Sequence, residues 1–262
     1  MTVRRITAIA RRHLLVTVHS PTRLIELAFW PIVDLLLWGM ITTYLQRADA
    51  ELPIPVSFFL GGILLWDIVF RAKNSVAMCL LEENHSRNVI AILASPVTAG
   101  EYLAGAVLFA MGKLAVTWTA MIAIAWALFS FGILGFGPIV AVYAVLLILF
   151  GIALALVVMG VVLRFGYAAD ELAWAAAAVV VPFAAVFYPV ASLPGWAQAV
   201  AAVTPPAHVF ESMRAVVAGA DPAWGGLWTA AVLDGVYLAV AFVFARSMFA
   251  VLRRRGFVTR YM

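Results

Sequence analysis

Residues 131–163 read FGILGFGPIVAVYAVLLILFGIALALVVMGVVL, a run without one Asp, Glu, Lys or Arg. A helix apolar on every side has no use in water. At a rise of ~1.5 Å per residue, this one is long enough to cross the ~30 Å hydrocarbon core of a bilayer. On either side of it, Leu52–Trp66, Leu172–Ser192 and Gly235–Ala245 are also free of charge. With 66% hydrophobic and 11% charged residues, the 262-residue chain holds more apolar surface than a soluble domain of that length can bury. Lipid is therefore its solvent, and the expected class is an all-α integral membrane protein of about six spans.

The net charge of +4 does not point to nucleic acid, because the basic residues sit at the flanks of apolar runs rather than on one polar face. Residues 1–23 form a basic segment in which Ile6, Ile9, Ala10, Leu14 and Thr17 share one side of a helical wheel, opposite Arg4, Arg5, Arg11 and Arg12. This pattern predicts a cytoplasmic interfacial amphipathic helix rather than a cleaved secretory leader. Pro21 ends it, and a transmembrane domain over 24–252 follows. Its spans are expected near 24–45, 56–80, 102–131, 139–163, 172–190 and 227–248, with Pro182 kinking the fifth. Between spans two and three, 82–101 reads EENHSRNVIAILASPVTAGE, a polar segment with a helix start at Ser95, Pro96 and Thr98. Between spans five and six, 191–226 is broken by Pro194, Pro205, Pro206 and Pro222 into two helices too short to cross, so a re-entrant hairpin is expected. Residues 253–262 form a basic tail.

Orientation follows from the lysines and arginines. With the N-terminus inside, five arginines of the first segment, Arg71, Lys73, Arg87, Arg164, Arg253, Arg254, Arg255 and Arg260 lie on the cytoplasmic side, against Arg47 and Arg214 opposite. This asymmetry predicts both termini in the cytoplasm. Trp30, Trp174, Trp196, Trp224 and Trp228 fall where interfacial belts are expected.

Catalytic motifs do not emerge. Lys113 follows Gly112, but Val107 and Leu114 stand where a phosphate-cradling loop requires Gly and Ser or Thr. His13, His19, His85 and His208 lack metal-binding spacing, and the single Cys79 reads as a buried thiol. Neither a catalytic nor a metal-ligating residue is assigned. Charges inside spans are costly and call for partners. Depth counting predicts the pairs Asp67 with Lys113 and Asp34 with Arg71, serving as a bundle clamp or as the lining of a polar path. Asp234 has no depth-matched cation and is expected to face water or a neighbouring subunit.

Three stretches carry a resemblance. The basic helix leads into FWPIVDLLLWG at 29–39, EENHSRNVIAILASPVTAGEYLAG begins at Glu82, and ASLPGWAQAVAAVTPPAHVFESMRAVVAG spans 191–219. In this order they resemble the membrane subunit of ABC-2 type exporters, with Leu193, Pro194, Trp196, Pro205, Glu211, Arg214 and Gly219 matching that family's outer-hairpin pattern. The resemblance implies a permease of the bacterial inner membrane that moves lipids, glycans, drugs or other amphiphiles. Its power would come from a separate ABC ATPase that holds the ATP and Mg, and it would work as a homodimer or with a sister permease. It further implies that Glu82, Glu83, Arg87, Asn88 and Ser95 transmit ATPase closure, with support from Arg11 and Arg12. The pathway would lie between spans one, two and five of two subunits, and the hairpin would cap its exit with Glu211 and Arg214 at the base. An ion-coupled secondary transporter is the alternative, but such folds show paired broken helices in two repeats, and the two halves here differ.

Overall fold

The computed structural model describes residues 2–47, 57–86, 88, 91–92, 95–165 and 170–255. Among them there is no strand. Among the described residues, nine α-helices with defined bounds follow in order: α1 Val3–Val18, α2 Pro21–Arg47, α3 Ser57–His85, α4 Ala99–Phe129, α5 Ile139–Phe165, α6 Asp170–Val180, α7 Gly195–Ala202, α8 Pro205–Val217 and α9 Trp224–Arg255. Four of them, α2, α4, α5 and α9, are long and apolar enough to cross a membrane. The 29-residue α3 has the length of a span but carries Asp67, Arg71 and Lys73 within one stretch. It is the central helix, packed against α2, α4, α5 and α6, so protein rather than lipid surrounds its charges.

Local chemistry sets the ends. The Thr98 hydroxyl accepts from the backbone N–H of Glu101 at 3.2 Å while the Glu101 carboxylate accepts from the Thr98 N–H at 3.0 Å, a capping box that starts α4. Helix α4 ends at Phe129, capped by Ser130 in the left-handed conformation. The glycine-rich turn that follows holds a 3₁₀ turn at Ile133–Phe136 and Gly137 at φ 82, where a side chain would be strained. Pro31 sits inside α2 without ending it.

Backbones approach closely where glycine permits. A Cβ at Gly151 of α5 would lie 2.8 Å from the Ala72 Cβ and 2.9 Å from the Val69 carbonyl oxygen of α3. A Cβ at Gly105 of α4 would meet Ile9 of α1 at 2.7 Å. One core cluster gathers Leu64, Leu65, Ile68, Leu147 and Phe210, and a second gathers Leu80, Tyr102, Leu156, Met159 and Phe249.

Several expectations need correction. The fifth span was expected over 172–190, but α6 stops at Val180 and the chain turns irregularly to Pro189, because Pro182 removes a backbone donor and Ala185 turns left-handed at φ 53. The second span was expected to end near Leu80, yet α3 continues to His85, so Glu82 and Glu83 occupy its last turn. Leu14, on the apolar side of α1, is 52% exposed, as an interfacial helix allows, while His13 and Thr17 are the buried residues of that helix. The two short helices of the 191–226 segment appear as α7 and α8. Trp30, Trp196, Trp224 and Trp228 are all exposed, and the Trp174 side chain lies outside the described residues.

Asp234 is the outlier of the core. It was expected to face water or a second subunit, yet it is 0% exposed within this one chain, and neither carboxylate oxygen has a hydrogen-bond partner. A buried polar group without a partner costs about 1–3 kcal/mol. Replacing it by Leu, which keeps the branched outline without the polar oxygens, is therefore expected to leave the thermal midpoint in detergent unchanged or raised. A clear fall would show that Asp234 makes a favourable contact.

Candidate functional site

A cavity of about 310 Å³ opens between α1, α2, α3 and α4. Arg23, Glu82, Lys113, Asn74, Arg71 and Asp34 line it, with Trp30, Phe70 and Phe109 among them. From Glu82 to Arg71 the wall descends α3 by three turns, about 16 Å at the helical rise. Charge is thus carried from the helix ends deep into the bundle along one polar wall.

At the deep end, the Arg71 Nε donates to Asp67 Oδ2 at 2.5 Å, one turn away on α3 itself. The expected pairing of Asp67 with Lys113 is not formed. Depth counting compares helices by rise alone, whereas residues four apart on one helix already share a face. Asp34 lines the same cavity within electrostatic reach of Arg71, but no ion pair joins the two. One guanidinium therefore serves two carboxylates, Asp67 by contact and Asp34 through space.

At the mouth, three ion pairs fasten the helix ends into one joint. Arg23 of α2 donates to Glu82 Oε2 at 2.8 Å, Arg12 of α1 pairs with Glu83, and Arg5 of α1 reaches Glu101 Oε2 at 3.4 Å. Arg5 also donates to the Pro96 carbonyl at 2.9 Å, and the Thr2 N–H donates to Glu101 Oε1 at 2.9 Å. Glu83 is nearly enclosed, at 4% side-chain exposure, so it points into the joint. Asn88 N–H donates to the Glu83 carbonyl at 2.9 Å, and the Ser95 hydroxyl donates to the Ile92 carbonyl at 2.7 Å, closing the turns that follow. Arg11 is exposed on α1, and Arg87 lies outside the described residues.

His13 is buried at the centre of the joint, its ring tilted against that of Phe109 at 5.7 Å. Burial first, then the charges of Arg12 and Arg23, lower its pKa from 6.5 to about 4. The Glu83 carboxylate oxygen 3.9 Å from Nε2 would favour the charged ring, but that oxygen is already engaged by Arg12, so the imidazole stays neutral. The unfolded chain takes up a proton near pH 6.5, whereas the folded joint resists until about pH 4. Folded stability therefore falls as pH drops through that window. Protease cleavage near α1 in membranes is expected to rise between those pH values and to become pH-independent there in His13→Gln.

The remaining sequence-derived residues are gathered at the other end of the bundle. Pro194 caps α7, Pro205 opens α8, and exposed Trp196 meets Phe183 edge-on at 5.9 Å. Glu211 and Arg214 face each other on α8 at 3.3 Å. Sequence reasoning missed the roles of Arg23 and Glu101; an arginine just before the first span and an acid three residues after Thr98 were the available signals. No group of three or more metal-ligating side chains is found among the described residues. The arrangement can carry a polar or charged group from the helix ends toward mid-bundle while aromatic side chains hold an apolar part.

A family model described as ABC-2 family transporter protein matches residues 50–246. No curated protein matches the sequence.

Proposed function

Because that match covers well over half of its residues, the chain belongs to the ABC-2 family of transporter proteins, and we propose that it is the permease subunit of an ATP-driven exporter. It is a multi-pass membrane protein and a transport component rather than an enzyme. In this reading a separate ABC ATPase holds the ATP and Mg, and the permease works with a second copy or a sister permease in the bacterial inner membrane.

The observation that carries the reading beyond the family is the joint. Segment 86–98 leaves α3 where Glu82 and Glu83 are tied to α1 and α2, and it returns at Glu101, which is tied to α1 again. A push on that segment by a docked ATPase would move the cavity wall directly, since α3 and α4 form part of it. Six crossings are supported by helix direction. The start of α2 meets the end of α3 through Arg23 and Glu82, and the far part of α2 meets the end of α4 where Gly39 abuts Phe129, so consecutive long helices run in opposite senses. In this arrangement α6 and the buried turns after it complete the fifth crossing, and α7 and α8 form the re-entrant hairpin on the outer side. The arginines of α1 and Arg164 then lie at the cytoplasmic end, with Arg47 and Arg214 opposite. The cavity, at the inner-leaflet end, would admit the polar part of an amphiphile whose apolar part stays in lipid.

Co-purification tests this reading. The tagged chain is expected to bring down an ATPase encoded beside it, and Arg87→Glu, in the docking segment, is expected to weaken the complex. Absence of any ATPase from the purified chain would overturn it.

A further inference from the structure

Irregular backbone is tolerated at membrane depth only where protein or water satisfies it. Helix α6 ends at Val180, turn hydrogen bonds continue to Ala184, and Ala185 adopts the left-handed conformation at φ 53. Even so, Ala184, Ala185 and Val186 are among the most buried residues of the chain. Their freed groups are met from α8. Arg214 Nη2 donates to the Ala185 carbonyl at 2.8 Å, and the Val190 N–H donates to Glu211 Oε1 at 2.6 Å. The same carboxylate oxygen accepts from Arg214 at 3.3 Å. A single ion pair thus grips both limbs of the break.

The break is also seated on two other helices. The Val186 carbonyl oxygen would lie 3.2 Å from a Cβ at Gly62 of α3, the Arg214 guanidinium lies 4.6 Å over the ring of Phe58, and Phe187 stacks on Trp38 of α2 at 4.5 Å. The grip is incomplete, because Arg214 Nε and Nη1 are buried without hydrogen-bond partners. A guanidinium that leaves two donors unmatched while it holds one carbonyl and one carboxylate carries a standing desolvation cost, so release gives it solvent for its unmatched donors. Two-state elements of this kind move as units.

We propose that Arg214 and Glu211 are positioning residues that clasp the 181–190 break shut as the outer closure of the transport path, and that the break opens when the clasp lets go. This rests on the permease reading, and α3 links the two sites: Phe58 touches the clasp and Gly62 the break, while Arg71 and Glu82 line the cavity.

Cysteine labelling tests it. Cys79 is buried, so a membrane-impermeant maleimide applied from outside has little background. Single cysteines are placed at Ala184, in the break, and at Ala230, a fully buried control on α9. Arg214→Met removes hydrogen bonds from a charged donor, so labelling at Ala184→Cys is expected to rise about tenfold while Ala230→Cys stays within about twofold. A parallel rise at both positions, or no rise at Ala184→Cys, overturns the clasp. With the clasp intact and the partner ATPase present, ATP is expected to accelerate labelling at Ala184→Cys, and a rate indifferent to ATP overturns the gating role. The Arg214→Met comparison is read in membranes without the ATPase, so a failed co-purification would sink the permease reading and leave the clasp measurement standing.

Discussion

Arg71→Met is expected to destabilise the chain by about 3–5 kcal/mol, because it leaves the Asp67 carboxylate buried without its cation. Asp34, which also depends on that guanidinium, loses its compensating charge in the same stroke. The sharper result comes from the double variant. Asp67→Leu with Arg71→Met removes both charges and fills the space with apolar atoms, and such exchanges are often neutral or stabilising. Thermal unfolding in detergent is therefore expected to recover in large part in the double variant, short of the share lost because Asp34 has no through-space partner left. If the pair is also part of the polar wall, transport stays lost in that well-folded protein. Recovery of both stability and transport would reduce Asp67 and Arg71 to a static clamp.

Gly151→Leu is the second large effect. The contact between α5 and α3 has no room for a side chain, since even one methyl group would stand 2.9 Å from the Val69 carbonyl oxygen, which belongs to backbone and cannot rotate away. Gly151→Ala is expected to cost about 1–3 kcal/mol as the helices are forced apart. The Leu variant should yield no folded protein, seen as loss of a monodisperse peak on size exclusion. Gly112→Ala on α4, with nothing within 4 Å, is the matched control. There the gain in helix propensity, about 0.5–1 kcal/mol, is the whole effect.

Much of this fold was legible in the sequence because the solvent is lipid. Uncharged runs mark α5 and α9, Ser95, Pro96 and Thr98 mark the start of α4, and prolines separate α7 from α8. Pairing was less legible. Counting residues gives depth but not which way a side chain points, so Asp67 was given to Lys113 when Arg71, one turn away, was nearer. Glu82 and Glu83 read as the head of a polar segment outside the bilayer, because charge after a span suggests water. Their partners, Arg23 and Arg12, lie 59 and 71 residues earlier in the chain. The break after α6 shows the same limit: Pro182 announces a defect, but its form depends on Arg214, 29 residues beyond the carbonyl it holds.

The most direct test of the central claim is ATP turnover by the partner ATPase in lipid nanodiscs, with and without this chain. The expected result is a several-fold stimulation by the unaltered chain that falls in Arg12→Glu, where repulsion from Glu83 unfastens α1 while the ATPase stays bound. Turnover indifferent to the chain, together with uptake that follows a proton or sodium gradient, would contradict it.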